Sequence, residues 1–195
     1  MRVLVVYCHP VPESFCAALR DAAMDAIQAK GCEARLVDLY AEEFDPVMRC
    51  DERRIYNNQA PADPALRAHI DDLRWAEAIV FIYPTWWYGL PAMLKGWLDR
   101  VWATDVAFRL PGGKGRITPL MTNITRIAIV TTCGGSRWWS HLIGHPGKKT
   151  ILRGIRALCA KRCRTMFLAH YLMDASTPQS RATFLAKVRR KLEAF

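Results

Sequence analysis

The sequence has no apolar run that approaches the roughly 18 residues expected of a membrane-spanning helix. Its N-terminal apolar run, residues 3–7, is too short for the core of a signal peptide, and residues 8–12 do not resemble a cleavage site. We therefore expect a cytoplasmic protein with no export signal and no integral membrane segment.

Paired cysteines are also missing. The seven cysteines are an odd number scattered along the chain, which favours reduced thiols over a disulfide framework. Cys159 and Cys163 are four residues apart, but no second pair of ligands accompanies them. The sequence therefore predicts no metal site.

Acidic residues are in the minority, because 18 Asp and Glu stand against 28 Lys and Arg and the net charge is +10. Much of the excess lies late in the chain, between Lys148 and Lys191. No signature of a nucleic-acid-binding module accompanies it, so we expect no nucleic-acid function and interpret most of these residues as a solvated helix face. An anionic cofactor or a partner with an acidic surface would also suit this charge.

Five short apolar runs predict the strands of one sheet, at residues 3–7, 34–39, 78–83, 127–132 and 165–171. The third is expected to stop at Pro84. Such continuous apolar runs are typical of strands that are covered on both faces.

Helices are predicted between these strands. Their predicted ranges are 15–30 behind the cap Ser14, a short helix within 41–65, then 64–75, a helix with Pro91 in its first turn, 150–160, and a last helix that opens at Thr177. Residues 104–125 and 133–147 are interpreted as loops, and the polar stretch 57–59 as surface. Alternating strands and helices predict one α/β domain over residues 1–195, a doubly wound parallel sheet with helices on both faces.

Ligands of such sheets bind beyond the carboxyl ends of the strands, and for the strand order 2-1-3-4-5 they bind between the first and third strands. Three segments are expected there, at residues 8–16, 84–91 and 131–145. In the first, His9 and the cap Ser14 precede a helix N-terminus, where unpaired N–H groups suit a phosphate. The segment is neither a P-loop nor a G-x-G-x-x-G turn, so a plain helix cap explains Ser14 equally well.

The other two segments suit a planar ligand. Residues 84–91 read Pro-Thr-Trp-Trp-Tyr-Gly-Leu-Pro, and their adjacent aromatics could wall a ring such as flavin, although some must serve the core or an interface instead. Gly134 and Gly135 permit close backbone approach, and His145 is a candidate proton donor.

Residues 83–101, the His-Pro loop before Ser14 and Phe15, and the run Thr-Thr-Cys-Gly-Gly-Ser at 131–136 resemble the NAD(P)H:quinone oxidoreductase family of the flavodoxin-like superfamily. This resemblance covers most of the chain in the right order. It implies a flavodoxin-like fold, a homodimer with flavin at the subunit interface, and a ping-pong transfer of hydride from NADH or NADPH through flavin N5 to a quinone or similar flat acceptor.

The resemblance also implies site residues by position. The cofactor-binding residues are His9, Ser14, Phe15, Cys16, Pro84, Thr85, Trp86, Trp87, Tyr88, Thr131, Thr132, Cys133, Gly134 and Gly135, and the catalytic residue is His145. Cys16 stands where the family commonly has asparagine, and Cys133 where glycine is usual. Trp138 and Trp139 lie near the position of a family tyrosine. The length of 195 residues favours FMN over the alternative FAD.

Two other functions are compatible with the same residues. One is a one-electron carrier of the flavodoxin type, although such carriers are usually acidic. The other is an ancillary subunit that docks to a membrane transporter, or regulates another partner, while it retains flavin.

Overall fold

The computed structural model describes residues 1–58, 60–61, 63–113 and 115–195. Gln59 and Lys114, which the sequence places in polar loops, lie outside the described residues, as does Ala62. The strands are β1 (Arg2–Tyr7), β2 (Glu33–Asp38), β3 (Ala78–Thr85), β4 (Phe108–Arg109), β5 (Thr118–Pro119), β6 (Arg126–Cys133) and β7 (Arg164–His170). The helices are α1 (Phe15–Ala29), α2 (Cys50–Ile55), α3 (Arg67–Trp75), α4 (Ala92–Val101), α5 (Arg137–Ile143), α6 (Pro146–Lys149) and α7 (Pro178–Glu193).

Five strands form one parallel sheet in the order β2-β1-β3-β6-β7. Without the short antiparallel pair β4 and β5, this is the predicted order 2-1-3-4-5, and the fold class is confirmed. Among the described residues, no helix combines the length and the hydrophobicity that a membrane span requires.

Both faces of the sheet are covered, which explains the continuous apolar strands. Along β1, Leu4 and Val6 join the apolar cluster beneath α3 and α4, whereas Val3 and Val5 join the cluster beneath α1 and α7. Because successive side chains of a strand point to opposite faces, a strand between two helical layers has no position for a polar residue.

The third strand does not stop at Pro84, as the sequence predicted, but continues to Thr85. Pro84 pairs with Thr132 of β6, whereas the pairing of β3 with β1 ends at Ile82. A proline is tolerated there because β3 has a neighbour on one side only and needs fewer ladder hydrogen bonds. Pro91 is likewise the residue that precedes α4, rather than part of its first turn.

The prediction that residues 133–147 form a loop was wrong for about half of them, because they include α5. The Ser136 hydroxyl accepts a hydrogen bond from the Trp139 amide at the start of this helix. Gly144, with φ of 85°, ends it in the left-handed conformation that glycine adopts most easily. Both signals are present in the sequence.

The helix predicted at 150–160 begins earlier, at Pro146, and is irregular. After α6 the chain widens into one π-type turn over Thr150–Gly154, then tightens into a 3₁₀ turn over Ile155–Leu158. Single π turns inside helices often lie near functional sites, because they change the direction of neighbouring side chains.

Candidate functional site

A cleft of about 720 Å³ opens at the carboxyl end of the sheet, beside the ends of β3 and β6. Its lining residues are His9, Pro84, Thr85, Trp86, Trp87, Tyr88, Thr132, Cys133, Gly134, Gly135, Ser140, Met173 and Asp174. The volume lies within the range of small-molecule sites. We call it the sheet-edge cleft, and ten of the predicted site residues line it.

One wall of this cleft is a tight turn that begins right after β3. The Gly89 amide donates a hydrogen bond to the Trp86 carbonyl over 3.0 Å. The two central residues, Trp87 and Tyr88, have φ values of 47° and 63°. Positive φ at both positions is the pattern of type I′ turns, which strongly favour Asn-Gly. Two bulky aromatics in this conformation are strained, and such strain is concentrated at functional sites.

The turn is tied to α5 across the cleft mouth. The Trp139 indole N–H donates a hydrogen bond of 2.9 Å to the Tyr88 hydroxyl. Gly147 packs against the same turn, since a Cβ at Gly147 would lie 3.2 Å from the Gly89 carbonyl carbon. Trp87 itself is 95% exposed and points away from the chain.

The floor of the cleft is a row of neutral hydrogen bonds between β3 and β6. The Thr131 hydroxyl donates to the Tyr83 carbonyl over 2.6 Å, so the Thr85 hydroxyl, 2.9 Å away, is the donor to Thr131. The Cys133 thiol in turn donates to Thr85 over 3.4 Å. Burial raises the pKa of Cys133, so this thiol stays protonated at neutral pH and presents no charge to the cleft.

The N-terminus of α1 lies next to this floor. The Ser14 hydroxyl accepts from the Ala17 amide over 3.2 Å, so Ser14 caps the helix as predicted. The Cys16 thiol lies 3.5 Å from the Thr132 hydroxyl, and burial raises the Cys16 pKa to about 11. Phe15 does not line the cleft, since its ring packs against His170 and Phe184.

Two buried polar atoms near this helix end lack a well-formed hydrogen bond within the described part of the chain, the Tyr7 hydroxyl and His170 Nδ1. Burial raises the pKa of Tyr7, and the adjacent Ser14 lowers it in part. Buried polar groups are nearly always satisfied, so their presence at the first turn of a 15-residue helix fits a polar ligand such as a phosphate.

His9 lines the cleft as a neutral side chain. Its Nδ1 accepts a hydrogen bond of 3.0 Å from the Val11 amide, and burial lowers its pKa. A neutral imidazole can hydrogen-bond a phosphate but does not neutralise its charge.

The structure does not place His145 among the residues that line the sheet-edge cleft. His145 faces a second cleft on the other side of α5, where its Nε2 lies 3.5 Å from the Tyr171 hydroxyl and 3.4 Å from His141 Nδ1. Burial lowers the His145 pKa, and His141, Lys148 and Lys149 lower it further. It is therefore mostly unprotonated at neutral pH, and its role as a proton donor stays a prediction.

The sequence reading missed three lining residues, Ser140, Met173 and Asp174. Ser140 was missed because α5 was read as loop. Met173 and Asp174 follow the end of β7, so the rule that ligands bind beyond the carboxyl ends of strands would have found them, had it been applied to the last strand. Of the described residues that line the cleft, Asp174 alone carries a carboxylate, 3.1 Å from where a Gly134 Cβ would lie.

These residues fit a flavin phosphate at one end and a planar ring at the other. The α1 N-terminus with its unsatisfied polar neighbours suits the phosphate, and the slot between the aromatic turn and the two glycines, with Asp174 at one wall, suits the ring. Among the described residues, no three His, Cys, Asp or Glu side chains cluster closely enough to hold a metal ion.

Comparison with known proteins gives the same fold for most of the chain. A family model described as flavodoxin-like fold matches residues 1–194. The human ribosyldihydronicotinamide dehydrogenase [quinone] is 33% identical over 129 residues, which cover 57% of this chain and 55% of the human protein, so the chain spans about half the length of that relative. The NAD(P)H dehydrogenase [quinone] 1 of Cavia porcellus is 30% identical over 214 residues, which cover 98% of this chain and 76% of that protein.

Solved structures share the whole fold. Smu.1420 from Streptococcus mutans UA159 superposes with a TM-score of 0.86 at 27% identity and full coverage of both chains. An NAD(P)H:quinone oxidoreductase from Methanothermobacter marburgensis gives 0.85 at 24% identity, with 99% and 98% covered. An FMN-dependent NADH-azoreductase from Bacillus anthracis str. Ames Ancestor, solved in complex with FMN, gives 0.76 at 12% identity, with 99% and 98% covered.

Proposed function

Since the chain belongs to the flavodoxin-like fold family, we propose that it is an NAD(P)H-dependent flavoprotein oxidoreductase that reduces a quinone or a similar flat acceptor. The proposed cofactor is FMN, with FAD as the alternative, and the proposed reductant is NADH or NADPH. The observation that carries the proposal is the sheet-edge cleft, which has a strained aromatic turn as one wall and whose lining residue Thr132 contacts Cys16 in the first turn of α1.

The first part of the proposal concerns the phosphate. The open amides at the start of α1 and the Ser14 hydroxyl would hold it, with the His9 imidazole beside it. The Cys16 thiol, which stands in place of the family asparagine, is protonated and contacts Thr132, so it would help to support the floor instead of carrying charge.

The second part concerns the ring. Trp86, Tyr88 and the backbone of Thr85 would border it on one edge, and the backbone of Cys133 to Gly135 on the other. Bound flavin would supply two-electron redox chemistry between the reductant and the acceptor. The protein would position both partners in turn on the open face, which is the ping-pong order that the family resemblance implies.

The neutral floor has a chemical consequence. Thr85 and Cys133 present no charge to the ring, and among the described residues Asp174 is the only carboxylate that lines the cleft. Any negative charge that develops there during the reaction would be stabilised by backbone amides, because the Thr131, Thr85 and Cys133 hydrogens are already donated within the floor.

The exposed aromatics support the proposed homodimer. Trp87, Trp138 and Leu142 are 95%, 71% and 62% exposed; Trp87 lines the cleft, and the other two lie on α5, which contributes Ser140 to the cleft wall. Apolar side chains clustered in this way commonly mark an interface, and a second copy would complete the wall of the cleft.

The absorbance spectrum of the purified protein, with and without added FMN or FAD, tests the cofactor. Stopped-flow mixing with NADH or NADPH tests the reaction, because the proposal requires rapid bleaching of the bound flavin. A protein that stays colourless after incubation with both flavins would refute the proposal, and bound flavin that NAD(P)H cannot bleach would point to a one-electron carrier.

The ancillary-subunit alternative would be distinguished by its partner. Co-purification with a membrane transporter, together with slow turnover by the protein in the absence of that transporter, would favour this alternative over an independent enzyme. Cytoplasmic location remains a prediction from the sequence.

A further inference from the structure

The positive charge of this protein has a sharp boundary in the sequence. Residues 106–173 contain 12 Lys and Arg and no Asp or Glu, whereas the rest of the chain contains 16 basic and 18 acidic residues. The whole excess of +10 therefore comes from one continuous segment, which includes α5, α6 and β7. The final helix α7 carries five further basic residues against one acidic residue, and acidic residues elsewhere in the chain offset them.

Part of that segment folds around a second cleft of about 380 Å³. Its lining residues are His141, Gly144, His145, Lys148, Lys149, Leu152, Arg153 and Thr165. We call it the basic cleft. It contains three cations and two imidazoles but no carboxylate, and none of these three cations forms an ion pair with a carboxylate within the described ranges.

The positive groups of the basic cleft are held close to one another. The His141 and His145 rings meet edge to face with centroids 4.8 Å apart, and His145 adopts a positive φ of 48°. The Lys149 ammonium lies 2.7 Å from where a Gly144 Cβ would stand, so it lies directly over the C-terminal end of α5. Like charges repel, and the depressed His145 pKa reflects that repulsion in addition to burial.

The two clefts share α5 as a common wall. Ser140 faces the sheet-edge cleft, and the next residue, His141, faces the basic cleft. A molecule longer than the width of a helix, about 10–12 Å with its side chains, could lie over the end of α5 and reach both.

We propose that the basic cleft binds a phosphomonoester dianion, either the 2′-phosphate of NADPH or a phosphate on a separate small molecule. The first source rests on the function proposed above. Arg153 offers a planar fork of donors that matches two phosphate oxygens, and Lys148 and Lys149 supply point charges. The volume exceeds that of a bare ion and has room for an attached ribose.

Calorimetric titration of the FMN-loaded protein tests the binding itself. The probes are adenosine 2′,5′-bisphosphate, 5′-AMP and inorganic phosphate. The test variant combines Lys149→Gln with Arg153→Gln. The control combines Lys187→Gln with Arg190→Gln on α7, which removes the same charge from an exposed face far from the cleft.

The expected result is that adenosine 2′,5′-bisphosphate binds the wild type and the control equally, and the test variant at least about tenfold more weakly. The proposal is wrong if no phosphate compound binds, if the test variant binds as well as the wild type, or if the two variants lose affinity equally. This readout does not need turnover, so it holds even if the protein oxidises neither NADH nor NADPH.

Steady-state kinetics separate the two sources. If the 2′-phosphate of NADPH is the ligand, the test variant raises KM for NADPH about tenfold and leaves KM for NADH unchanged. If phosphate binding is lost in calorimetry but both KM values stay the same, the ligand is a separate phosphorylated molecule. Failure to bind flavin would refute the proposed function, and the calorimetric test of the basic cleft would then be made on the protein without FMN, with the same expected result.

Discussion

The two clefts on either side of α5 are built in opposite ways. The sheet-edge cleft consists of strand ends, a strained turn and neutral hydrogen bonds, with Asp174 as the single carboxylate in the part of the chain that the structure describes. The basic cleft consists of helical turns and carries its positive charge on long side chains. Neighbouring sites on one helix can thus select ligands by shape in one case and by charge in the other. The two should respond differently to volume, salt and pH.

Added volume should have the largest effect, and only in the sheet-edge cleft. Replacement of Gly134 by valine would place side-chain atoms against Asp174 and in the proposed ring slot. We expect FMN affinity to fall about 100-fold, which corresponds to roughly 2.7 kcal/mol. Fluorescence titration with FMN measures this.

Gly154→Val is the matched control, because the space around a Cβ at Gly154 is open and its segment is remote from that slot. Both variants should still bind adenosine 2′,5′-bisphosphate as the wild type does. If Gly134→Val binds FMN normally, the ring does not lie along residues 133–135.

Salt should lower ligand affinity mainly in the basic cleft. Ions screen exposed charges strongly but affect buried backbone dipoles little. Between 50 and 500 mM NaCl, the affinity of the basic cleft for adenosine 2′,5′-bisphosphate should fall by about tenfold, and FMN affinity by less than about threefold. Equal salt dependence of the two ligands would remove the distinction between shape and charge.

The hydrogen bond between Trp139 and Tyr88 should couple α5 to the aromatic turn. Tyr88→Phe and Trp139→Phe each remove this hydrogen bond, and the double variant has no further bond to lose. These three variants and the wild type form a double-mutant cycle. We expect a coupling of about 1 kcal/mol in the free energy of unfolding. Additive effects in chemical denaturation would show that this bond does not hold the turn.

The smallest expected effect is on the pH dependence of stability. The folded-state pKa of His145 is below its ordinary value of 6.5, so the unfolded chain binds more protons as the pH falls through this region. The His145 contribution to stability is therefore present above pH 6.5 and declines below it. His141, Lys148, Lys149, Arg153 and Tyr171 are the ionisable groups that face it.

His145→Gln should flatten the curve of unfolding free energy against pH between 7 and 5. Sulfate, a dianion over this whole range, should reduce the acid sensitivity of the wild type and leave the variant unaffected. His9→Gln in the FMN-loaded protein is the comparison in the sheet-edge cleft, because burial lowers the pKa of His9 and the proposed phosphate site beside it is filled, so sulfate should have no such effect.

The sequence was sufficient for the sheet because each strand is buried on both faces, and a continuous apolar run such as residues 3–7 has few other interpretations. It was insufficient where local and tertiary contacts compete. Residues 86–89 do not contain Asn-Gly, so the local sequence does not predict the positive φ values of Trp87 and Tyr88, and we attribute them to contacts with the rest of the fold. The short helix α5 was missed because its aromatic residues suggested a loop, although Ser136 and Gly144 mark its ends.

The location of the candidate site was also predictable in part. The three segments at the sheet edge followed from strand order, and most of their residues line one cleft. The position of His145 beyond α5 was not predictable, because it depends on how this seven-residue helix is oriented against the sheet. The basic cleft was hidden for a similar reason, since its three cations, at residues 148–153, lie beside the two histidines only because of the irregular helical turns that follow α5.

The turn at Trp87 and Tyr88 also bears on how this protein would respond to redesign. A method that ranks substitutions by stability alone would select Asn-Gly there, because those residues adopt positive φ at little cost. The resulting chain would resist heat better and lose the aromatic wall of the sheet-edge cleft. Thermostability and cofactor binding would therefore move in opposite directions at these two positions, and a rise in Tm would be a warning of lost function.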